Sequence, residues 1–290
     1  RYCVEPTWLI PHFEKMLYDN AQLATLFLET GAALDEPRYL EVGRETLDFL
    51  LDGMAVPGGG FGASWDADSC SVEGAYYLWT EDELRLVAGV ADGARLAALL
   101  GRDEDHDPRQ GAVLTRRSDA AAGAAPDSNA RSLDDLWHRY RPELRRYRAR
   151  RPPPRFDNKV ISSWNGLALT ALAAGARLLA APRYATAALI CADEVWRRHW
   201  IEDENGGAPR LHRATVAGRA TGVAVLSDYA HLAAGLLDLY GTTSEPRLLA
   251  RARALAAAAR HRFAGPEGYL GSEENGELPL ARQPELFDGV

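Results

Sequence analysis

Three stretches of this chain align without a gap over 22 residues: Tyr18–Tyr39 (YDNAQLATLFLETGAALDEPRY), Ser163–Tyr184 (SWNGLALTALAAGARLLAAPRY) and Ser227–Leu248 (SDYAHLAAGLLDLYGTTSEPRL). A repeat of this length constrains the fold more than composition does. Each copy must form the same supersecondary unit and bury its apolar face against the next. Each reads as an Ala/Leu-rich helix, a short turn and a Pro-Arg dipeptide. Proline suits the first position of a helix, where its missing N–H would be unpaired anyway. A second helix is therefore expected over Pro37–Met54, Pro182–Trp200 and Pro246–Phe263, each followed by a Gly-containing stretch (GGGFGAS, ENGGAPRLHR, GPEGYLGSEE). The unit is helix A, short turn, helix B, longer loop.

The second and third copies are 64 residues apart, the first and second 145. The wider gap has room for a fourth, irregular hairpin, with helices expected at about Glu81–Val90 or Gly93–Leu100 and at Ser132–Arg150. Between them, residues 101–131 are rich in Asp, Gly, Ala and Pro and read as an exposed, irregular loop. The A helices are apolar nearly all round and must be buried on both sides. The B helices, as in GRETLDFLLDGM, are more amphipathic. An inner ring of A helices wrapped by B helices satisfies both patterns. The expected fold is all-α, an α/α toroid, with an open α-solenoid as the alternative. Closed toroids usually have six hairpins, so about four make an incomplete one. Arg1 rather than Met opens the chain within a motif, and we expect residues 1–290 to be one incomplete barrel domain, a piece of something longer.

Composition narrows the function classes. The 33 basic and 41 acidic residues leave a formal charge of −8, a poor basis for binding a phosphate backbone, so no nucleic-acid partner is expected. No apolar run approaches a membrane span. Cys3, Cys70 and Cys191 are far apart and form no CxxC, which points to a reducing, cytoplasmic setting without disulfides or a cysteine–zinc site. Only Lys15 and Lys159 break an otherwise all-Arg set of cations. A compact ammonium is needed where a planar guanidinium does not fit, although chance accounts for the pair equally well. Eight arginines between Arg139 and Arg155 look like a nucleic-acid patch, but on an acidic chain they read as a solvated helix face and linker.

The polar clusters fall at the starts of A helices and on the longer loops, where a rigid frame positions chemistry. His12, Glu14, Lys15, Tyr18, Asp19 and Asn20 open a helix that otherwise reads as core; Glu14/Tyr18 and Lys15/Asp19 are i,i+4 pairs. Asp66 and Asp68, flanked by Trp65, Glu73, Tyr76, Tyr77 and Trp79, form a D-x-D motif beside aromatic rings. They could be a carboxylate pair with split pKa values, ligands of a divalent cation, or an Asx-turn that shapes the loop. Asp157 and Lys159 lead into Ser163-Trp164-Asn165-Gly166, and Asp228-Tyr229 stands at the matching place in the last copy. The aligned copies put Asp19, Trp164 and Asp228 at one register position. The histidines outside PHFEKMLYDN have no metal spacing, and neither a Ser-His-Asp set nor a P-loop is legible.

The strings PHFEKMLYDN, DADS, EG-x-YY-x-WT, SWNGLAL, SDYA-x-LAAGLLDLY and RQPELFDG occur in that order. With them the chain resembles the YyaL-like family of thioredoxin-domain-containing proteins, which includes the spermatogenesis-associated homologue of animals. The resemblance implies a six-hairpin-glycosidase-like (α/α)6 barrel, of which this chain would be the middle. It also implies a thioredoxin-like domain of the same longer protein, absent here, as a partner. Where the family has three acidic residues, Val72-Glu73-Gly74-Ala75-Tyr76-Tyr77 keeps only Glu73, and its D-D-K is Asp157-Asn158-Lys159. The barrel is similar to those of glycosidases and sugar epimerases. The leading reading is thus a domain acting on a carbohydrate or similar polyol, epimerase/isomerase- or glycosidase-like. Asp66 and Asp68 would be general acid and base and His12 a proton shuttle. Trp65, Trp79, Trp164 and Tyr229 would line the pocket, and Lys15 and Lys159 would tune the carboxylates. Glu14, Tyr18, Asp19, Glu73, Asp157, Asn165 and Asp228 would complete the binding set. No cofactor or metal is required. The alternatives are a non-catalytic binding or scaffold domain serving the thioredoxin-like partner, and a terpene-cyclase-like toroid, which would need a metal and a diphosphate site.

Overall fold

The computed structural model describes residues 3, 6, 10–100, 111–115, 133–202, 208–266 and 268–272. Among them are nine α-helices: α1 (Leu17–Leu34), α2 (Pro37–Phe49), α3 (Glu81–Ala88), α4 (Val90–Leu96), α5 (Leu133–Arg148), α6 (Ser162–Leu178), α7 (Pro182–His199), α8 (Leu226–Thr243) and α9 (Pro246–Phe263). The fold class is all-α. The chain divides into two compact units, Arg1–Glu14 with Trp65–Arg155, and Lys15–Ser64 with Phe156–Val290.

The second unit is three consecutive helical hairpins, α1/α2, α6/α7 and α8/α9. Proline begins each B helix, and a single π-helical turn (Leu50–Met54) extends α2. The A-to-B turns share one device. Asp35, Ala180 and Ser244 occupy the same register position and all adopt a left-handed backbone, with φ of 54°, 48° and 58°. Helix α6 packs between α1 and α8, and each A helix packs on its own B helix, giving an inner row and an outer row. Flanked on both sides, α6 buries Leu169, Ala171, Leu172, Ala173 and Ala174 almost completely. Each such leucine contributes about 2 kcal/mol of hydrophobic stabilisation. Helices α1 and α8 have an inner-row neighbour on one side only, so the expectation of burial all round holds for α6 alone; Leu23 and Leu26 of α1 and Leu237 of α8 are exposed. The outer row is stitched in register. Arg183, of the second Pro-Arg, binds Asp48 of α2 at 2.6 Å. Arg247, of the third, binds Asp193 of α7 at 3.0 Å.

The first unit carries the irregular hairpin. Both expected alternatives for its first helix are real, because Gly89, at φ 83°, separates α3 from α4. Thr80 and Glu83 form a capping box at the start of α3. Helix α5 packs on α3 and α4 around Trp79, Leu84, Leu96, Leu136 and Leu144. The loop expected at about 101–131 lies outside the described residues except for 111–115, which are paired rather than irregular. Ala112 exchanges both backbone hydrogen bonds with Trp79, at 2.9 and 2.8 Å. Gly111, at φ 79°, has no Cβ to strike the Trp79 backbone. The RQPELFDG string lies outside the described residues.

Candidate functional site

In the first unit the chain from Pro11 to Glu14 meets the loop Asp66–Tyr77. Phe13 is buried, and its ring stacks on Tyr77 at 5.9 Å and 7°. Gly74, at φ 74°, lies directly under the Phe13 ring, where a side chain would collide. Asp68–Ser69 and Val72–Glu73 form a two-stranded hairpin with Asp68 opposite Glu73, so both carboxylates share a face. Its turn residues Cys70 and Ser71 both have positive φ, 52° and 63°. Two-residue hairpin turns of this kind favour Asn-Gly. Bonds to the backbone hold the loop from behind: Asp66 N–H donates to the Arg155 carbonyl at 2.8 Å and Ser69 Oγ to the Pro152 carbonyl at 2.5 Å.

His12 is held between two carboxylates. Its Nε2 is 3.2 Å from Glu14 Oε2, and its Nδ1 is 3.6 Å from Glu73 Oε1. The imidazole is mostly covered and Glu73 half-exposed. Asp68 follows Glu73 across the hairpin. Asp66 and Asp68 themselves are exposed, and Asp66 Oδ1 accepts the Asp68 N–H at 3.3 Å, the geometry of an Asx-turn. Trp65 is half-buried. Trp79 is 4% exposed in the core, with the Arg151 guanidinium over its ring at 4.6 Å. Both faces of a ligand-stacking indole cannot be free there.

In the second unit the N-termini of the three A helices meet at one end. Tyr18, in the first turn of α1, packs tilted on Trp164, in the first turn of α6, with centroids 4.8 Å apart. Asp228, near the start of α8, is fully buried; it accepts the Ser163 N–H at 3.1 Å and the Val225 N–H at 3.0 Å. One carboxylate thus satisfies the N-termini of two helices, where a negative charge is favoured. Arg213 approaches it at 3.8 Å. Asn165, also buried, accepts the Phe61 N–H at 2.8 Å and donates to the Phe61 and Ile161 carbonyls. It pairs with Phe61 as a strand would, fixing the loop that follows α2. Tyr229 does the equivalent one repeat later: its hydroxyl accepts the Leu211 N–H at 2.9 Å, and its ring meets Phe263 edge-on. Asn165, Asp228 and Tyr229 are therefore positioned among protein groups. Lys159 pairs with Asp157 at 3.0 Å, and both remain partly exposed. Lys15 and Asp19, at the start of α1, are half-buried.

Two features were not legible. Ser162, His199 and Thr215 form a buried chain, with His199 Nδ1 2.7 Å from Ser162 Oγ and Nε2 2.7 Å from Thr215 Oγ1. Ser162 donates its one proton to the His212 carbonyl, so Nδ1 is the imidazole donor and Nε2 accepts from Thr215. It contains no acid and is sealed from solvent, which makes it structural. The residues lie 37 and 16 positions apart, and only the fold joins them. The arginine run is also not uniformly solvated. Arg151 donates to the Tyr76 and Leu78 carbonyls at 2.9 and 2.6 Å and pairs with Glu83 at 2.8 Å. Among the described residues no group of three His, Cys, Asp or Glu side chains is placed to hold a metal ion, and no helix is long and apolar enough to cross a membrane.

Helical hairpins in an inner and an outer row define an α/α-toroid protein, and solved structures agree on the fold. The chain superposes on a cellobiose 2-epimerase from Spirochaeta thermophila with a TM-score of 0.52 and 15% identity, over 88% of this chain and 45% of that one. For a sugar epimerase from a ruminal bacterium the TM-score is 0.52 at 9% identity, over 88% and 46%. For an unsaturated glucuronyl hydrolase from Bacillus sp. GL1 it is 0.50 at 12%, over 90% and 52%. In sequence the chain is 29% identical to spermatogenesis-associated protein 20 of Mus musculus over 323 residues, covering 97% of this chain and 40% of that protein. The Rattus norvegicus protein of that name is 30% identical over 279 residues, 84% of this chain and 35% of the relative. An uncharacterized Caenorhabditis elegans protein is 29% identical over 324 residues, 100% of this chain and 44% of the relative. No protein-family model matches. The chain thus spans less than half the length of these homologues.

Proposed function

We propose that this chain is a carbohydrate-acting domain whose chemistry is proton transfer on a sugar, of the epimerase, isomerase or glycosidase kind, with His12 moving the proton. The observation that carries this reading is the imidazole bracketed by Glu14 and Glu73. Two carboxylates on separate segments fix the ring plane, and an imidazole is the side chain suited to taking and returning a proton. At an aldose the proton taken is the one on the carbon beside the carbonyl. Returning it to the opposite face inverts that centre, and returning it to the former carbonyl carbon isomerises the sugar. Asp68, beside Glu73, is the further carboxylate within the hairpin, while Asp66 shapes the turn. Trp65 is the half-buried indole of the same unit, suited to a sugar face. The free Cys3, Cys70 and Cys191 support a reducing, cytoplasmic location.

The test is ¹H NMR of aldose panels in D₂O with the full chain. Deuterium at C2 and new anomeric signals are expected, and His12→Gln should lower the rate about 100-fold or more at an unchanged melting temperature. Loss of rate in Asp68→Asn but not in His12→Gln would return the chemistry to the D-x-D pair. The second reading, a binding domain serving a thioredoxin-like partner in a longer protein, is favoured by the Asx-turn at Asp66. It predicts sugar binding with no deuterium uptake.

A further inference from the structure

Arg148, the last residue of α5, differs from Arg151, the other arginine over the aromatic rings of this loop. Arg151, three residues on, is neutralised by Glu83 and spends its donors on carbonyls. The Arg148 guanidinium lies over the Tyr76 ring at 5.2 Å and the Tyr77 ring at 5.5 Å. The two rings are 5.1 Å apart and meet at 87°, so they form a corner with the cation above both. Its Nε is buried with no hydrogen-bond partner. Among the described residues neither a carboxylate nor a carbonyl takes any of its N–H groups. The ring faces attract the charge but cannot accept the in-plane hydrogen bonds of a guanidinium fork. What such a fork lacks is a planar or tetrahedral oxyanion, which it binds bidentately.

The position matters as much as the missing acceptor. Tyr77 stacks in turn on Phe13, and Phe13 sits between His12 and Glu14. Arg148 is thus one cation–ring contact and one ring stack from Phe13, the residue beside the proposed proton-transfer group. Burial pushes the Tyr77 phenol up to about 12, with Arg148 opposing the shift, so the hydroxyl stays protonated at neutral pH.

We propose that Arg148 binds an oxyanion carried by the ligand, a carboxylate or a phosphate group, with Tyr76 and Tyr77 as the aromatic corner that holds the fork in place. Joined to the carbohydrate reading above, on which the sugar part rests, the ligand class is an acidic sugar: a uronate or a sugar phosphate.

Isothermal titration calorimetry on the full chain tests this with glucuronate, glucose 6-phosphate and glucose. At least one acidic sugar should bind ten-fold or more tightly than glucose, and which one separates carboxylate from phosphate. Arg148→Gln should bring that sugar down to the glucose level. Arg148→Lys keeps the charge and loses the fork, so it should lie between, and it guards against a folding defect in the glutamine variant. His12→Gln should keep the preference for the acidic sugar, so loss of turnover and loss of anion binding are read separately. Equal binding of all three sugars by the wild type, or unchanged acidic-sugar affinity in both Arg148 variants, overturns the proposal.

Discussion

At the scale of single residues, the buried His199 sets the pH response of the second unit. It hydrogen-bonds through both nitrogens, to Ser162 and Thr215. Burial, with His212 and Arg198 adding positive charge and Glu194 only partly opposing them, lowers its pKa from 6.5 to about 4. The unfolded chain therefore takes up a proton between pH 6.5 and 4 that the folded chain refuses. This stability is complete above about 6.5 and is lost as the pH falls toward 4, by about 3 kcal/mol in all. Urea unfolding of wild type and His199→Gln at pH 7, 5.5 and 4.5 should show a steeper loss in the wild type. Parallel curves for the two proteins would mean that His199 is not the group that titrates. A nearby contrast is Cys191, whose thiol burial pushes up to about 12, leaving it an inert packing group that touches Asn165.

At the scale of elements, the tightest joint is the α6–α8 crossing. A Cβ on Gly166 would run into the His231 backbone, and one on Gly235 would run into the Gly166 carbonyl. Neither obstacle is a flexible side chain that can swing aside, so Gly166→Ala and Gly235→Ala should each destabilise by about 2 kcal/mol or more, although alanine is the better helix former. Chemical denaturation of the two variants checks this, and an unchanged midpoint would mean that the helices can slide apart without cost. SWNGLAL announced Gly166 only as part of a string, because a close approach is invisible until the partner helix is known. Helix bounds were far more legible, since Pro-Arg marks where each B helix begins; that the short turn before it places Asp35, Ala180 and Ser244 in a left-handed backbone is seen only in the structure. The Asp48–Arg183 and Asp193–Arg247 pairs escaped notice for a definite reason. Their aspartates, 145 residues apart, lie beyond the aligned 22-residue windows, and the third copy has Ala257 in that place. The polar clusters were legible as clusters. Sequence could not show that Asn165, Asp228 and Tyr229 spend their polar atoms on the Phe61, Ser163 and Leu211 N–H groups, because those partners lie 104, 65 and 18 positions away and only the fold brings them close.

At the scale of the whole molecule, the inner row leaves two apolar edges. Leu23, Leu26 and Leu34 share one face of α1, with Leu26 59% and Leu34 64% exposed. On α8, Leu237 is 46% exposed and lies in line with the exposed Ala230 and Ala234 at i, i+4 and i+7 spacing. Both faces are stripes of the kind α6 buries completely, and neither has an inner-row helix against it in the second unit. Apolar patches of more than a few hundred Å² drive association, and a leucine-lined helix face pairs readily with another of the same kind. The chain by itself should therefore self-associate at tens of micromolar and bind hydrophobic dye. Light scattering behind size-exclusion chromatography, run over a concentration series, reads this directly. Leu26→Glu combined with Leu237→Glu should shift the species toward monomer and lower dye binding while leaving the far-UV circular dichroism unchanged, because both side chains are substantially exposed and the core behind them is untouched. A dye-negative wild-type monomer at every concentration would show that these stripes are not sticky. Association that survives the double substitution would place the contact elsewhere, with the exposed Leu86 and Val90 of the first unit the next to replace.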